Sequence, residues 1–309
     1  MARMMSNSVS PIADSTSAAA PAAPGQDERP SQDDWRSGGL AVLRAELDRI
    51  DNQIHDLLMR RAEVVEHVAR SGKPAAFRPG REASIIRRLL QRHRGALPPA
   101  SLVRIWRELL AGTTSMQGGL SLAVCDPDHG ATLTQLAREH FGSLTPLRAY
   151  GTAAQALADV SQGVASVAVL PFPSDRDTWW VSLLHREPRL HIIARLPFWN
   201  RRPDGAPMAQ ALVVASTPPD ASGNDRSFLG LECDSDISRT RLSGELLAAD
   251  LKPEIMVVLR QHGASVSNVL IEVEGYLTDN DPRLGRLGSV LRRPIVAGSY
   301  ASPLGGAAG

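Results

Sequence analysis

Apolar residues recur at alternating steps of three and four along residues 40–68: Leu40, Leu43, Leu47, Ile50, Ile54 and Leu57, then Val64 and Val68. Such spacing draws one apolar seam along a helix of the kind that packs against other helices. It predicts a long helix from about Gly39 to Arg70, stopped by Gly72 and Pro74. The step between Leu57 and Val64 falls on Arg61, the single break in the seam.

A second helix is predicted in "RPGREASIIRRLLQRHR", with Pro79 in its first turn, Ile85, Ile86, Leu89 and Leu90 on one face, and Gly95 at its end. A third is predicted in "PPASLVRIWRELLAGTTSMQ", with Leu102, Ile105, Trp106, Leu109 and Leu110 at helical spacing. Three helices of such unequal length do not easily close one core, so the long one is expected to be shared with a second copy of the chain.

Gly118 and Gly119 mark a boundary, beyond which short β-branched runs alternate with helices. "LSLAVCD", "VASVAVLP", "LHIIARLPF" and "AQALVVAS" read as strands, "ATLTQLAREHFG" and "TAAQALADVSQG" as helices, giving an open α/β domain from about 120 to 217. After "TPPDASGND" come the strand "SFLGLE", a helix in "SRTRLSGELLAADL", the strands "EIMVVLR" and "SNVLIEVEG", a helix in "DPRLGRLGSVLR" and the strand "PIVAGS". That order is βαββαβ, a ferredoxin-like sandwich.

Composition narrows the function. The formal net charge is +1 over 309 residues, which argues against a protein built mainly to coat nucleic acid or anionic membrane. From Gly38 to Gln117 there are fourteen Lys or Arg against eight Asp or Glu, a balance of +6 that leaves −5 for the remainder. Cys125 and Cys233, far apart, give neither a metal-ligand spacing nor a disulfide framework and suit a reducing compartment. No window is apolar enough for a membrane span or a signal-peptide core, so a cytoplasmic protein is expected, with residues 1–37, rich in Ala, Pro and Ser, as a disordered tail.

Arg61 is the sharpest chemical signal. It either snorkels along the seam to water or faces an anion inside. Arg60 next to it already supplies an outward cation, Arg44 lies one step off the same seam, and Arg81 with Glu82 opens the second helix. Several arginines aimed at one interior repel one another unless an anion lies between them, and guanidinium groups grip carboxylates bidentately. A small ligand with more than one carboxylate fits that pattern. Glu82 is either an internal partner for an arginine or an acceptor for a ligand hydroxyl. Thr113 and Gln117, four apart, are either a polar helix end or further hydrogen-bonding groups of a site, and Lys73 is either a solvated loop lysine or part of that site.

Taken together, "LRAELDRIDNQIHDLLMRRAEVVEHV", "FRPGREASIIRRLL" and "WRELLAGTTSMQ" resemble the all-helical chorismate mutases, intertwined three-helix dimers, over about residues 40–117. The resemblance implies that Arg61 and Arg81 bind substrate carboxylates, that Arg44 is contributed across the interface of a homodimer, that Glu82 accepts from the ring hydroxyl, that Thr113 is the small hydroxyl residue and that Gln117 donates to the ether oxygen. The family's loop lysine falls on Gly72, with Lys73 one residue late. The implied reaction, chorismate to prephenate, breaks a carbon–oxygen bond as a carbon–carbon bond forms and needs no nucleophile, metal or cofactor. Holding the dicarboxylate in its compact form and donating to the ether oxygen suffices, since a rate gain of ~10⁶ corresponds to roughly 8 kcal/mol.

The remainder resembles prephenate dehydratase with a C-terminal ACT domain, from about 120 to 302. "CDPDHGATL" stands where that family has a GPxGTFS-like loop and "VAVLPFPSD" where it has a VVPIENS-like strand end. The family's Thr-Arg-Phe falls on Ala209-Gln210-Ala211 and its Glu-Asn-Ser on Pro173-Ser174-Asp175. Alanine and proline cannot assist departure of the prephenate hydroxyl. The expected organisation is therefore a tail (1–37), an intertwined three-helix chorismate mutase domain (38–118), an α/β dehydratase-like domain that has lost its catalytic residues (119–217), a βαββαβ ACT-like domain (218–302) and a short tail (303–309). The alternatives are a bifunctional chorismate mutase/prephenate dehydratase and a non-enzymatic aromatic-metabolite sensor.

Overall fold

The computed structural model describes residues 39–71, 77–127, 131–185, 187–202, 205–206, 208–260 and 263–305. The expected tail 1–37, Lys73, part of "CDPDHGATL" and residues 306–309 lie outside the described residues. The chain divides into two units, one through Met59 and one from Arg60.

The described part of the first unit belongs to helix α1 (Gly39–Arg70), none of whose residues is buried. Leu40, Leu47 and Leu57 are 70%, 59% and 67% exposed, so the predicted apolar seam is present and open in the single chain. Arg44 is exposed.

The second unit contains α2 (Pro79–Arg92), α3 (Pro99–Ser115) and a nine-stranded sheet. Both helices begin with proline in the first turn, where a missing N–H costs nothing. Strands β1 (Leu122–Cys125), β2 (Leu147–Tyr150) and β3 (Val167–Pro171) run parallel, and β5 (Ala211–Ala215) lies antiparallel between β3 and β4 (His191–Leu196). β1 and β5 are buried at every position because both faces are covered. Alternation divides them: Ala123, Cys125, Leu212 and Val214 face α5 (Ala153–Ser161) and a 3₁₀ turn at Trp179–Leu184. Leu122, Val124, Ala211 and Val213 face α4 (Thr132–Phe141).

The sheet continues through β9 (Arg292–Ala301), β6 (Asp225–Asp234), β8 (Val266–Glu274) and β7 (Pro253–Leu259), with α6 (Arg239–Ala248) packed on β6 and β8. β8 lies between β6 and β7 and antiparallel to both, the split βαβ arrangement expected from the sequence. The halves join where β4 meets β9 at Ile192 and Gly298. Gly298 has φ +145°, and a Cβ there would stand 2.1 Å from the Ile192 carbonyl oxygen, so only glycine permits the junction.

Three expectations are corrected. The helix predicted in "DPRLGRLGSVLR" is a three-residue 3₁₀ turn, Leu284–Arg286. Gly285 and Gly288 weaken a helix there, and Asp281 accepts from the Arg283 backbone N–H at 3.0 Å, a local bond that competes with helical pairing. The fully buried residues of α2 are Gly80, Glu82, Ala83 and Ile86; of the expected face, Ile86 is buried and Ile85 and Leu90 are only partly buried against the same core. Those of α3 are Val103, Arg107, Leu110, Thr113 and Thr114, while Ile105 is 52% exposed. Both helices turn this face to Phe198 and Ala301 of the α/β part, a core that helical spacing alone does not reveal.

Candidate functional site

The buried face of α2 brings Glu82 inward because Ala83 and Ile86 share that face and pack against Val103 and Leu110 of α3. Glu82 and Arg107 are 9% and 4% exposed, and Arg107 Nη1 donates to Glu82 Oε2 at 3.1 Å. The Arg107 guanidinium also stacks over the Phe198 ring, 5.0 Å from its centroid. Burial pushes the Glu82 carboxyl up to about 7; Arg107 and, less strongly, Arg61 oppose the rise, while Asp220 adds to it. Burial pushes Arg107 down to about 10, opposed by Glu82. Glu82 is thus the internal partner of an arginine, one of the two roles open to it in the sequence.

Arg61 is half-buried and donates to Thr113 Oγ1 at 3.3 Å. Partial burial lowers its pKa, with the Glu82 charge opposing. Thr113 is buried, its hydroxyl also within reach of the Leu109 and Leu110 carbonyls, and Gln117 Nε2 donates to the Thr113 carbonyl at 3.3 Å. Arg61, Thr113 and Gln117 are thus linked by hydrogen bonds, and the Glu82 charge acts on Arg61. Arg81 is not among them: its side chain is exposed and its backbone N–H donates to Asp220 Oδ2 at 3.1 Å.

Asp220 also accepts from the Gly80 N–H at 2.9 Å, so one carboxylate from the α/β side of the fold caps α2. Gly80 permits this approach: a Cβ there would lie 2.2 Å from the Asp220 carbonyl oxygen. Arg87 extends the seam between the parts, donating to Ser222 Oγ at 2.8 Å and to the Asn224 and Ser302 carbonyls at 2.8 and 2.9 Å.

Arg107 was not singled out in the sequence, although its signal matches that of Arg61. It interrupts the apolar series Val103, Leu110 at a step of four, then three. Laying the face through Ile105 and Trp106 hides that break. Among the described residues, no cluster of three or more His, Cys, Asp or Glu is arranged to hold a metal ion.

Residues 43–118, which reach across the three helices, match the family of chorismate mutase type II. The curated relatives are bifunctional. The bifunctional chorismate mutase/prephenate dehydratase of Pseudomonas aeruginosa is 28% identical over 144 residues, covering 43% of this chain and 38% of that protein. Its counterpart in Neisseria gonorrhoeae is 30% identical over 133 residues, covering 43% of this chain and 36% of that protein. The chain thus spans well under half the length of the relatives it matches. Prephenate dehydratase from Streptococcus mutans superposes with a TM-score of 0.43 at 12% identity, covering 60% of this chain and 98% of that one.

Proposed function

We propose that this protein is an isomerase that rearranges chorismate to prephenate in aromatic amino-acid biosynthesis, as a cytoplasmic homodimer and without a cofactor. The observation that carries the reading is the match of residues 43–118 to the chorismate mutase family across the helices whose seam Arg61 interrupts. The open seam of α1 supports a second copy, since a 32-residue helix with no buried residue gains most of its stability from a partner. Arg44 of that copy completes the cationic lining.

The chain's own groups suit the rearrangement. Arg61 holds a substrate carboxylate, and Thr113 keeps its guanidinium in place. Gln117, once its amide leaves the Thr113 carbonyl, donates to the ether oxygen as negative charge grows there. Arg81 takes part from the rim, and Lys73 is assigned to the site as a further cation. Glu82 accepts from the ring hydroxyl when ionised, and Arg107 fixes its position from behind. Nothing in this chemistry calls for a proton to be moved.

The second half is proposed to be without dehydratase activity. At the Thr-Arg-Phe position Gln210 accepts from Arg195, 3.0 Å away, and at the Glu-Asn-Ser position Asp175 pairs with Arg239 and accepts from the Val258 N–H at 2.9 Å. Those side chains are engaged in holding the fold. A second reading, a bifunctional enzyme, is favoured by the relatives' own activities. Following chorismate loss and phenylpyruvate formation together with purified protein separates the two. Chorismate loss with phenylpyruvate at the uncatalysed background is expected, phenylpyruvate above it establishes the bifunctional enzyme, and no chorismate loss refutes both.

A further inference from the structure

A cavity of about 650 Å³ lies between α3, α4 and the segment that follows β4, on the far side of Arg107 from Arg61's partner Thr113 along α3. Its size is that of a small-molecule pocket. Its walls are apolar at Val103, Leu136, Pro197 and Phe198 and cationic at Arg104, Arg107, Arg201 and Arg202.

Three of the lining residues carry buried nitrogens with no hydrogen-bond partner among the described residues: His140 Nε2, Trp199 Nε1 and Arg202 Nε. His140 is 8% exposed, so its open nitrogen is withdrawn from solvent. Buried polar groups are nearly always satisfied, and three orphans around one cavity indicate a missing acceptor-rich group. The acidic residue in the lining, Glu139, is already engaged by Arg202 at 2.7 Å. A cationic ligand meets four guanidinium groups, whereas a carboxylate meets Arg104, Arg201 and the unused Nε of Arg202, whose terminal nitrogens pair with Glu139 as Arg107 pairs with Glu82.

We propose that this cavity binds a small carboxylate with an aromatic or alicyclic body, the ring lying against Phe198 and Leu136 and the carboxylate taken by Arg202, Trp199 and His140. Burial and the Arg107 charge hold the His140 imidazole neutral, and its open Nε2 donates to the carboxylate in the tautomer that carries the proton there. The site is separate from the helical site proposed for chorismate and does not rest on that assignment.

Calorimetric titration of the full chain with 3-phenylpropanoate tests it, with L-phenylalanine as the same body bearing an ammonium. Saturable one-site binding of 3-phenylpropanoate is expected, with weaker binding of L-phenylalanine. Arg202→Ala, which removes a charge-assisted donor, and Ala100→Trp, which fills the cavity from the α3 side, should each weaken it by about tenfold or more. Arg61→Ala should leave it unchanged. Absence of saturable binding at millimolar probe, equal affinity in the wild type and both cavity variants, or loss of binding in Arg61→Ala overturns the proposal.

Discussion

Arg107 Nη1 and Glu82 Oε2, 3.1 Å apart on facing helices, form an ion pair in which both side chains are almost wholly withdrawn from water. Removing one member of such a pair strands the other charge, whereas replacing both with apolar groups is far less costly. Arg107→Ala should therefore destabilise the fold by about 3–5 kcal/mol at pH 8, where Glu82 is ionised. The double variant Glu82→Leu/Arg107→Leu should lose much less. Urea unfolding of the three proteins checks this, and equal losses in the single and double variants would remove the pair from the account of stability.

The carboxyl of Glu82 has a folded-state pKa of about 7 against 4.5 for the free group. The native state holds the proton more tightly, so this contribution is fully present below 4.5 and is lost as pH rises through about 7. His140, depressed by burial, acts in the opposite sense, its contribution being present above 6.5 and lost in acid. Comparison with Glu82→Gln cancels the histidine. The stability of wild type relative to Glu82→Gln should fall by roughly 3 kcal/mol between pH 4.5 and pH 8. Unfolding curves at five or so pH values within that window measure it, and a flat difference would place the Glu82 pKa near its free value.

Arg61→Ala should reduce chorismate turnover by about 10²-fold or more with helicity unchanged. Arg61→Lys should also be strongly impaired, because an ammonium cannot reproduce a two-pronged grip on a carboxylate. Initial rates of chorismate loss decide the matter, and turnover near that of the wild type in either variant returns Arg61 to a packing role beside Thr113.

Gln117 donates through an amide that does not titrate. Gln117→Glu keeps a donor only while its carboxyl is protonated, and the ionised form repels an oxygen gaining negative charge. The variant should retain activity in acid and lose it as pH rises through that carboxyl's pKa, while wild type varies less. Parallel profiles for the two proteins would exclude Gln117 from contact with the reacting oxygen.

The cap on α2 gives a third handle on stability. Asp220→Ala leaves the Gly80 and Arg81 N–H groups without their acceptor and should cost about 1 kcal/mol, as loss of a helix cap does. Gly80→Ala should cost more, since its Cβ meets the backbone of Asp220 rather than a side chain that can move aside. The midpoints of urea unfolding rank the two.

The three helices were legible because their seams, prolines and glycines act locally, and α1 runs over Gly39–Arg70 as its spacing predicts. The inner faces of α2 and α3 were not, since they are set by Phe198 and Ala301, more than 80 residues away along the chain. Strand β2 escaped notice because only Leu147 and Tyr150 of its four residues are even partly buried, leaving no apolar run. Of the site, Arg61 stood out by breaking a strong pattern. Arg107 broke a weaker one, and its pairing with Glu82 depends on how two helices meet.

The reach of Asp220 to Gly80 has a consequence for synthesis. The capping carboxylate follows the glycine by 140 residues. At ~5–20 residues per second, roughly 7–28 s pass after Gly80 is made before its acceptor exists. For most of that interval α2 and α3 also lack Phe198, and for all of it Ala301, leaving Ala83, Ile86 and Val103 without these partners on the growing chain. The helical segment, translated before the α/β part, is thus among the last to be locked in place, and its apolar inner face is open to chaperones until that part arrives to cover it.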